Sequence, residues 1–220
     1  MLYVGHLRQK YLIQLQNNVY KIPTTVKTGG KSDQSQIYGP SAMKICALKS
    51  MDRSMIRQWK KMDYVMNEKE ILELLNHPFI MKIHYSFWTK NYFNLVLDFW
   101  PGGELFNIIR NQRFSENVAR FYIAEIILAI EHWHKNDVLH RDLKPENVLI
   151  DYDGHIRLTD FGLSQMNFTK DSKSDIFWGS PEYMPPEMVL KKKYTRMIDI
   201  YAIGALLFEM IAGVPPFYAK

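Results

Sequence analysis

The stretch HRDLKPEN at residues 140–147 constrains the fold of this chain most, because the triplet DFG follows it at residues 160–162. Between these motifs the sequence reads as two short apolar strands joined by a polar turn, which predicts a β-hairpin. A hairpin of this length brings Asn147 and Asp160 together at one end, where an amide oxygen and a carboxylate suit Mg²⁺. Asp142 lies in the loop before the hairpin, where its carboxylate would accept a proton from a hydroxyl group. These features are typical of phosphoryl transfer.

Taken together, the two motifs resemble the signature of eukaryotic protein kinases. The resemblance extends from Ala42 to Phe217. Within that family, residues 76–80 (NHPFI), 101–106 (PGGELF) and 119–125 (ARFYIAE) resemble the AGC group of serine/threonine kinases. The resemblance therefore implies an AGC-like catalytic domain.

The implied fold class is α+β, with two lobes. The small β-rich N-lobe, with one helix, would span residues 1–97, the hinge residues 98–103, and a mainly helical C-lobe, incomplete at its C-terminus, residues 104–220. We expect strands near 11–20, 42–46, 80–88 and 93–97, a helix carrying Glu68 that ends before Pro78, and further helices near 105–110, 115–134 and 199–212.

The resemblance assigns catalytic roles to Asp142, which would accept or orient the proton of the substrate hydroxyl, and to Lys144, which would steady the transferred phosphate. Asn147 and Asp160 would hold Mg²⁺. The implied cofactors are ATP and Mg²⁺, and a lysine two residues after the catalytic aspartate favours serine or threonine as the acceptor. The residues implied in nucleotide binding are Lys44, Glu68, Val19, Ala42, Asp98, Trp100, Leu149, Asn147 and Asp160. Among these, Glu68 would lie on the inward side of its helix and pair with Lys44, and Ala42 and Leu149 would enclose the adenine.

Three acidic residues indicate a preference for protein substrates with basic residues upstream of the acceptor. In kinases of this group, Glu104, Glu146 and Glu209 would receive arginine side chains. Glu209 lies in an otherwise apolar helix, where a carboxylate is costly unless it has a partner. A basic residue of the same lobe is the alternative partner. The residues Phe177, Pro181 and Met184 would line an apolar pocket for the residue after the acceptor.

The chain departs from the family at two functional places. The loop that covers the phosphates of ATP usually carries three glycines, and here Leu12, Gln14 and Asn17 occupy those positions. Glycine lets backbone amides approach phosphates closely, so we expect either weakened binding or positioning of ATP, or a nucleotide loop formed by another stretch. The usual phosphothreonine position holds Ile176, although Arg141, which would pair with that phosphate, is present, and either Asp175 or a phosphorylated Ser174 would partly replace it.

Two other functions compete with that of a protein serine/threonine kinase. The first is a catalytically impaired pseudokinase, or partial kinase fragment, that acts as a binding module, which the glycine-poor loop favours. The second is a small-molecule kinase of the same fold, which the peptide-receiving sequence SPEY at residues 180–183 argues against. An absence of ATP binding by folded protein would exclude an active enzyme.

The composition and charge of the chain argue against a nucleic-acid partner and a membrane-spanning segment. The chain has 220 residues, of which 47% are hydrophobic and 23% are charged, as in ordinary globular proteins. The net charge of +5 comes from scattered basic residues, so we expect no nucleic-acid partner. The apolar stretch 198–214 is interrupted by Asp199 and Glu209, so no integral membrane segment is expected. A single cysteine, Cys46, favours a reducing compartment, the cytoplasm with the nucleus as an alternative.

Overall fold

The computed structural model of the chain describes residues 19–23, 43–58 and 61–218. They form two compact units. The first contains the described residues as far as Met55 together with Ile83–Phe99, and the second contains those of Ile56–Lys82 and those from Trp100 onward. The boundary after Phe99 falls inside the predicted hinge. The predicted lobe bounds themselves, 1–97, 98–103 and 104–220, stay predictions.

In the first unit, the described strands form an antiparallel sheet of order β1-β2-β4-β3. The strands are β1 (Val19–Pro23), β2 (Met43–Asp52), β3 (Ile83–Trp88) and β4 (Tyr92–Asp98). Residues 93–97 of β4 are all buried, as expected for a central strand with an apolar sequence. The one polar member of that run, Asn94, accepts a hydrogen bond of 2.7 Å from the Ser50 hydroxyl.

The predicted strand at 80–88 is too long at its start. β3 begins at Ile83, because Ile80 and Met81 belong to the second unit and pair there with Leu158. Ile80 forms a parallel bridge to Leu158, and the Met81 amide donates to the Leu158 carbonyl at 2.9 Å. Both side chains are buried there. The predicted strand at 42–46 continues to Asp52, and most of the predicted strand at 11–20 lies outside the described residues.

The second unit is mainly helical. Its elements are α2 (Met62–Leu74), α3 (Leu105–Asn111), α4 (Glu116–Lys135), the hairpin β5 (Val148–Ile150) and β6 (Ile156–Leu158), α5 (Pro186–Val189) and α6 (Met197–Ala212), while α1 (Arg53–Gln58) crosses the boundary between the units. Short 3₁₀ turns lie at Pro145–Asn147 and Pro181–Tyr183. In the described part of the chain, every helix is too short or too polar to cross a bilayer.

Local sequence signals explain where these helices begin and end. The Ser115 side chain caps α4 by accepting a hydrogen bond from the Val118 amide. Gly213 ends α6 in the left-handed conformation, with φ of 80°, and its amide donates to the Glu209 carbonyl at 2.7 Å. α2 ends before Pro78, and Glu68 on it is only 4% exposed, so the predicted inward-facing glutamate is confirmed.

Candidate active site

The loop 140–147 buries the polar side chains that the sequence singled out. Asp142, Lys144 and Asn147 are 3%, 6% and 4% exposed. Buried polar groups of this kind need hydrogen-bond partners, and the loop supplies most of them itself. Asn147 donates from Nδ2 to the Asp142 backbone carbonyl at 2.7 Å and to its carboxylate Oδ2 at 3.1 Å. The loop therefore holds the Asp142 carboxylate in a fixed orientation.

A serine outside the loop completes the arrangement. The Ser180 hydroxyl donates to Oδ1 of Asp142 at 2.9 Å and accepts from Nζ of Lys144 at 2.7 Å. Lys144 Nζ also lies 3.4 Å from Oδ2 of Asp142. The ammonium, the hydroxyl and the carboxylate thus form one connected group. Sequence reasoning placed Ser180 in the peptide-receiving sequence SPEY but gave its hydroxyl no part in the catalytic loop, because only the tertiary fold brings residue 180 to that loop.

Asp199 anchors the loop from α6. Its carboxylate accepts from the backbone amides of His140 and Arg141 at 3.1 and 3.0 Å, and it lies 2.9 Å from the Nε2 of His134. Burial acts to raise the pKa of Asp199, but the bond to His134 and the backbone donors lower it below its ordinary value. An ionised carboxylate here fixes the backbone of Arg141, whose φ of 68° few residues adopt.

The hairpin places the two proposed metal ligands near each other. β5 and β6 pair Val148 with Leu158, and the Thr159 amide donates to the Asn147 carbonyl at 3.0 Å. Asp160 follows directly, with a left-handed φ of 65°. Asn147 contacts Asp142 through Nδ2. Among the described residues, none donates a hydrogen bond to its Oδ1, which leaves this oxygen available to a cation. An amide oxygen and a carboxylate at one end of a hairpin are donors that fit Mg²⁺.

The acidic residues proposed to bind the substrate influence one another. Burial raises the pKa of Glu104, and the charge of Glu146 raises it further. Burial likewise raises the pKa of Glu209, helped by Glu146 and Glu182, although a hydrogen bond donated by the Tyr183 hydroxyl opposes the shift. A tyrosine, rather than a basic residue, is therefore the partner of Glu209 in the described chain. Carboxylates that repel one another in this way favour a bound cation.

The residues proposed for the apolar pocket differ in their surroundings. Met184 is 7% exposed and packs in a cluster with Leu139, Phe168, Met188, Tyr194 and Ile198. Phe177 lies against this cluster and is partly buried, whereas Pro181 is exposed. Two of the three residues thus share one cluster, and the pocket itself stays a prediction.

The structure describes the proposed nucleotide residues only in part. Val19 and Lys44 lie in β1 and β2, and Ala42 lies outside the described residues, as do Leu12, Gln14 and Asn17. The Asp98 carboxylate contacts His84 Nε2 at 2.7 Å in the first unit. In the second unit, the Arg157 guanidinium lies over the Trp100 ring, 4.4 Å from the ring centroid. The backbones of Leu149 and Glu104 form an isolated antiparallel β-bridge. The pairing of Lys44 with Glu68 and the adenine contacts stay predictions.

Comparison with known proteins decides the family. Residues 20–220 match the protein kinase domain. The chain belongs to the protein kinase family. Serine/threonine-protein kinase gad8 of Schizosaccharomyces pombe is 40% identical over 202 residues, covering 91% of this chain and 36% of gad8. Serine/threonine-protein kinase sgk-1 of Caenorhabditis elegans is 40% identical over 205 residues, covering 92% of this chain and 44% of sgk-1.

Human ribosomal protein S6 kinase alpha-3 is a third similar protein, 41% identical over 196 residues, covering 89% of this chain and 25% of its own length. The chain therefore spans less than half the length of these relatives. The AGC-like resemblance and the α+β kinase fold are confirmed.

Proposed function

We propose that this chain is the catalytic part of an ATP- and Mg²⁺-dependent protein kinase that phosphorylates serine and threonine. The observation that carries the proposal is the connected group of Asp142, Lys144 and Ser180. It joins a buried carboxylate, an ammonium and a hydroxyl through hydrogen bonds of 2.7 and 2.9 Å. Such a group orients an incoming hydroxyl and stabilises negative charge on a transferred phosphoryl group.

Each residue has a distinct part in this proposal. The Asp142 carboxylate orients the substrate hydroxyl and takes its proton as the bond to phosphorus forms. Lys144 provides a positive charge beside the transferred group, and Ser180 holds Lys144 and Asp142 in register. Asn147 and Asp160 would hold Mg²⁺, which when bound neutralises charge on the phosphates of ATP. Lys44, paired with Glu68, would orient the nucleotide.

Nucleotide binding and phosphoryl transfer test this function separately. The full-length protein should melt at a higher temperature with ATP and Mg²⁺ than with either alone. It should also transfer phosphate from ATP to a serine peptide, and Asp142→Asn should lower kcat by about a thousandfold or more while ATP still stabilises the variant. Stabilisation without transfer by the wild type would support the pseudokinase alternative. Folded protein with no response to ATP and Mg²⁺ would exclude the active kinase.

We infer further that the preferred acceptor follows arginines and precedes a hydrophobic residue. The support is the raised pKa of Glu104 and of Glu209, which burial and neighbouring carboxylates cause. A guanidinium placed among them would relieve the repulsion and form paired hydrogen bonds with a carboxylate. Phe177 and Met184 supply apolar surface for the residue after the acceptor.

A positional-scanning peptide array tests the preference. We expect selection of arginine at the second and third positions before the acceptor, and Glu209→Gln should weaken one of these selections while leaving the other. The exposed Glu116, which lies on α4 and pairs with Arg120, is a matched control, since Glu116→Gln removes a carboxylate elsewhere. Equal use of all residues at both upstream positions would refute the basic preference.

A further inference from the structure

Two of the contacts that attach helix α2 to the rest of the second unit are uncharged. Tyr64, Asn67 and Glu68 lie on one side of the helix, because residues three and four apart are neighbours. Asn67 donates from Nδ2 to the Ser164 carbonyl at 2.8 Å. The Tyr64 ring meets the Trp178 ring edge to face, with centroids 5.9 Å apart and an interplanar angle of 70°, a favoured geometry for two aromatic rings. These contacts hold the helix that carries Glu68.

The segment that Asn67 contacts also holds the catalytic loop. Gln165 pairs with Leu139 through two backbone hydrogen bonds of 2.9 and 2.8 Å. The Arg141 guanidinium donates to the Leu163 carbonyl at 2.7 Å and to Oε1 of Gln165 at 3.1 Å, with a longer contact of 3.5 Å to the Ser164 carbonyl. In the described chain, its acceptors are thus neutral. α2 and Asp142 are therefore connected through residues 163–165 and Arg141.

The segment before Trp178 is likewise fixed without charge. Ser174 and Tyr194 form a backbone bridge with hydrogen bonds of 3.1 and 2.8 Å, and the hydroxyl of the buried Tyr194 donates to the Ile176 carbonyl at 2.8 Å. The Ile176 side chain is 46% exposed and has no hydroxyl to modify. The Ser174 hydroxyl accepts from the Ile176 amide at 3.3 Å, inside the same turn.

We propose that Tyr64, Trp178 and Gln165 are positioning residues that hold α2 and the catalytic loop in the active arrangement without a phosphoryl group on residues 169–178. The inference rests on the proposed kinase function. The ring contact joins α2 to residues 169–178 without charge, and an amide oxygen together with two carbonyls accepts from Arg141 in place of an anion. Activity then depends on these three side chains rather than on an activating phosphorylation.

Removal of phosphate is the first test. The full-length protein is treated with a broad-specificity protein phosphatase, and mass spectrometry verifies that residues 169–178 carry no phosphate. We expect kcat and KM for a serine peptide to stay within about twofold of the untreated values. A fall of about tenfold or more in kcat that rephosphorylation restores would overturn the inference while leaving the proposed function intact.

Substitution of the positioning residues is the second test. Tyr64→Leu, Trp178→Leu and Gln165→Leu should each lower kcat by about tenfold with peptide KM within about twofold, because substrate contacts remain. Tyr64→Phe keeps the ring and Gln165→Glu keeps an acceptor oxygen, so both should retain most activity. The double variant of Tyr64 and Trp178 should lose no more kcat than the more damaging of the two single variants, since both substitutions remove the same ring contact. Multiplied losses, or losses of Tyr64→Phe equal to those of Tyr64→Leu, would contradict the proposal.

Hydrogen exchange does not depend on catalysis, so it tests the role of the positioning residues separately from the proposed kinase function. Amide hydrogen exchange of Met62–Leu74 should be equally slow before and after phosphatase treatment, and faster in Tyr64→Leu than in Tyr64→Phe. Slow exchange that appears only in phosphorylated protein would overturn the inference even if no transfer activity is found. An inactive protein with the expected exchange would overturn the kinase function alone.

Discussion

At the scale of single residues, the hydroxyl of Ser180 is the least expected part of the site, and it yields the first prediction. It accepts from Lys144 and donates to Asp142, so its removal takes one hydrogen bond from each of two buried charged groups and leaves their direct contact of 3.4 Å as the remaining link between them. We expect Ser180→Ala to lower kcat by about 10- to 100-fold with little change in the KM for ATP. Ser180→Thr keeps the hydroxyl and should retain most of the activity. Steady-state peptide phosphorylation measures both, and an alanine variant as active as the wild type would remove Ser180 from the site.

The sequence predicted Asp142, Lys144 and Asn147 because they occur in one contiguous motif whose residue types match a chemistry. It did not predict Ser180 or the bond from Tyr183 to Glu209, because these join residues 38 and 26 positions apart. No local pattern reports such contacts. Glu209 itself was noticed because a carboxylate in an apolar helix requires a partner.

Glu209 gives a prediction about pH. Its pKa in the folded protein is raised above the ordinary value of 4.5, chiefly by burial. The folded state therefore binds this proton more tightly than the unfolded state, so protonation stabilises the fold. As pH rises from about 4.5 through the folded pKa, the wild type should lose stability relative to Glu209→Gln, which does not titrate. Urea unfolding of both proteins across this range checks the sign. A difference independent of pH would show that Glu209 ionises normally.

At the scale of elements, periodicity and caps predicted α2, α3, α4, α6 and the β5–β6 hairpin, whereas the short helices α1 and α5 were not predicted. Ser115 and Gly213 are capping residues whose effects are local, so their positions could be read from the sequence alone. The start of β3 was misplaced because Ile80 continues the apolar run of the strand. Ile80 instead pairs with Leu158, which is distant in sequence, and a pattern of alternating side chains cannot predict such a contact.

Gly204 inside α6 and Gly213 directly after it allow a matched comparison of helix stability. Gly213 has φ of 80°, and an added Cβ would lie 3.2 Å from Arg113 atoms. Gly213→Ala should therefore lower the free energy of unfolding by about 1 kcal/mol. Gly204 lies in the helix interior, where an added methyl group would meet open space, so Gly204→Ala should raise it by about 1 kcal/mol. Chemical denaturation of both variants tests the opposite signs, and a loss of stability in both would show that the cap is not the cause.

At the scale of the whole molecule, the described surface includes an apolar stripe along α6. Met197, Ile200, Phe208 and Ile211 are 58%, 42%, 49% and 42% exposed. Their spacing of three, eight and three residues, with the small Gly204 between them, places them on one helix face. Single exposed apolar residues are ordinary, but a contiguous face of this kind promotes association.

This stripe leads to a prediction about the 220-residue chain in solution. We expect the chain to self-associate. Phe208→Ser together with Ile211→Ser should raise the monomer fraction, because the two substitutions remove the apolar side chains from the C-terminal half of the stripe. Tyr152 is a matched control: it is 84% exposed at the hairpin turn, away from the stripe, so Tyr152→Ser should leave association unchanged. Sedimentation velocity over a range of concentrations measures the monomer fraction. A wild-type chain that stays monomeric throughout, or equal effects of the stripe and control substitutions, would mean that the α6 face does not drive association.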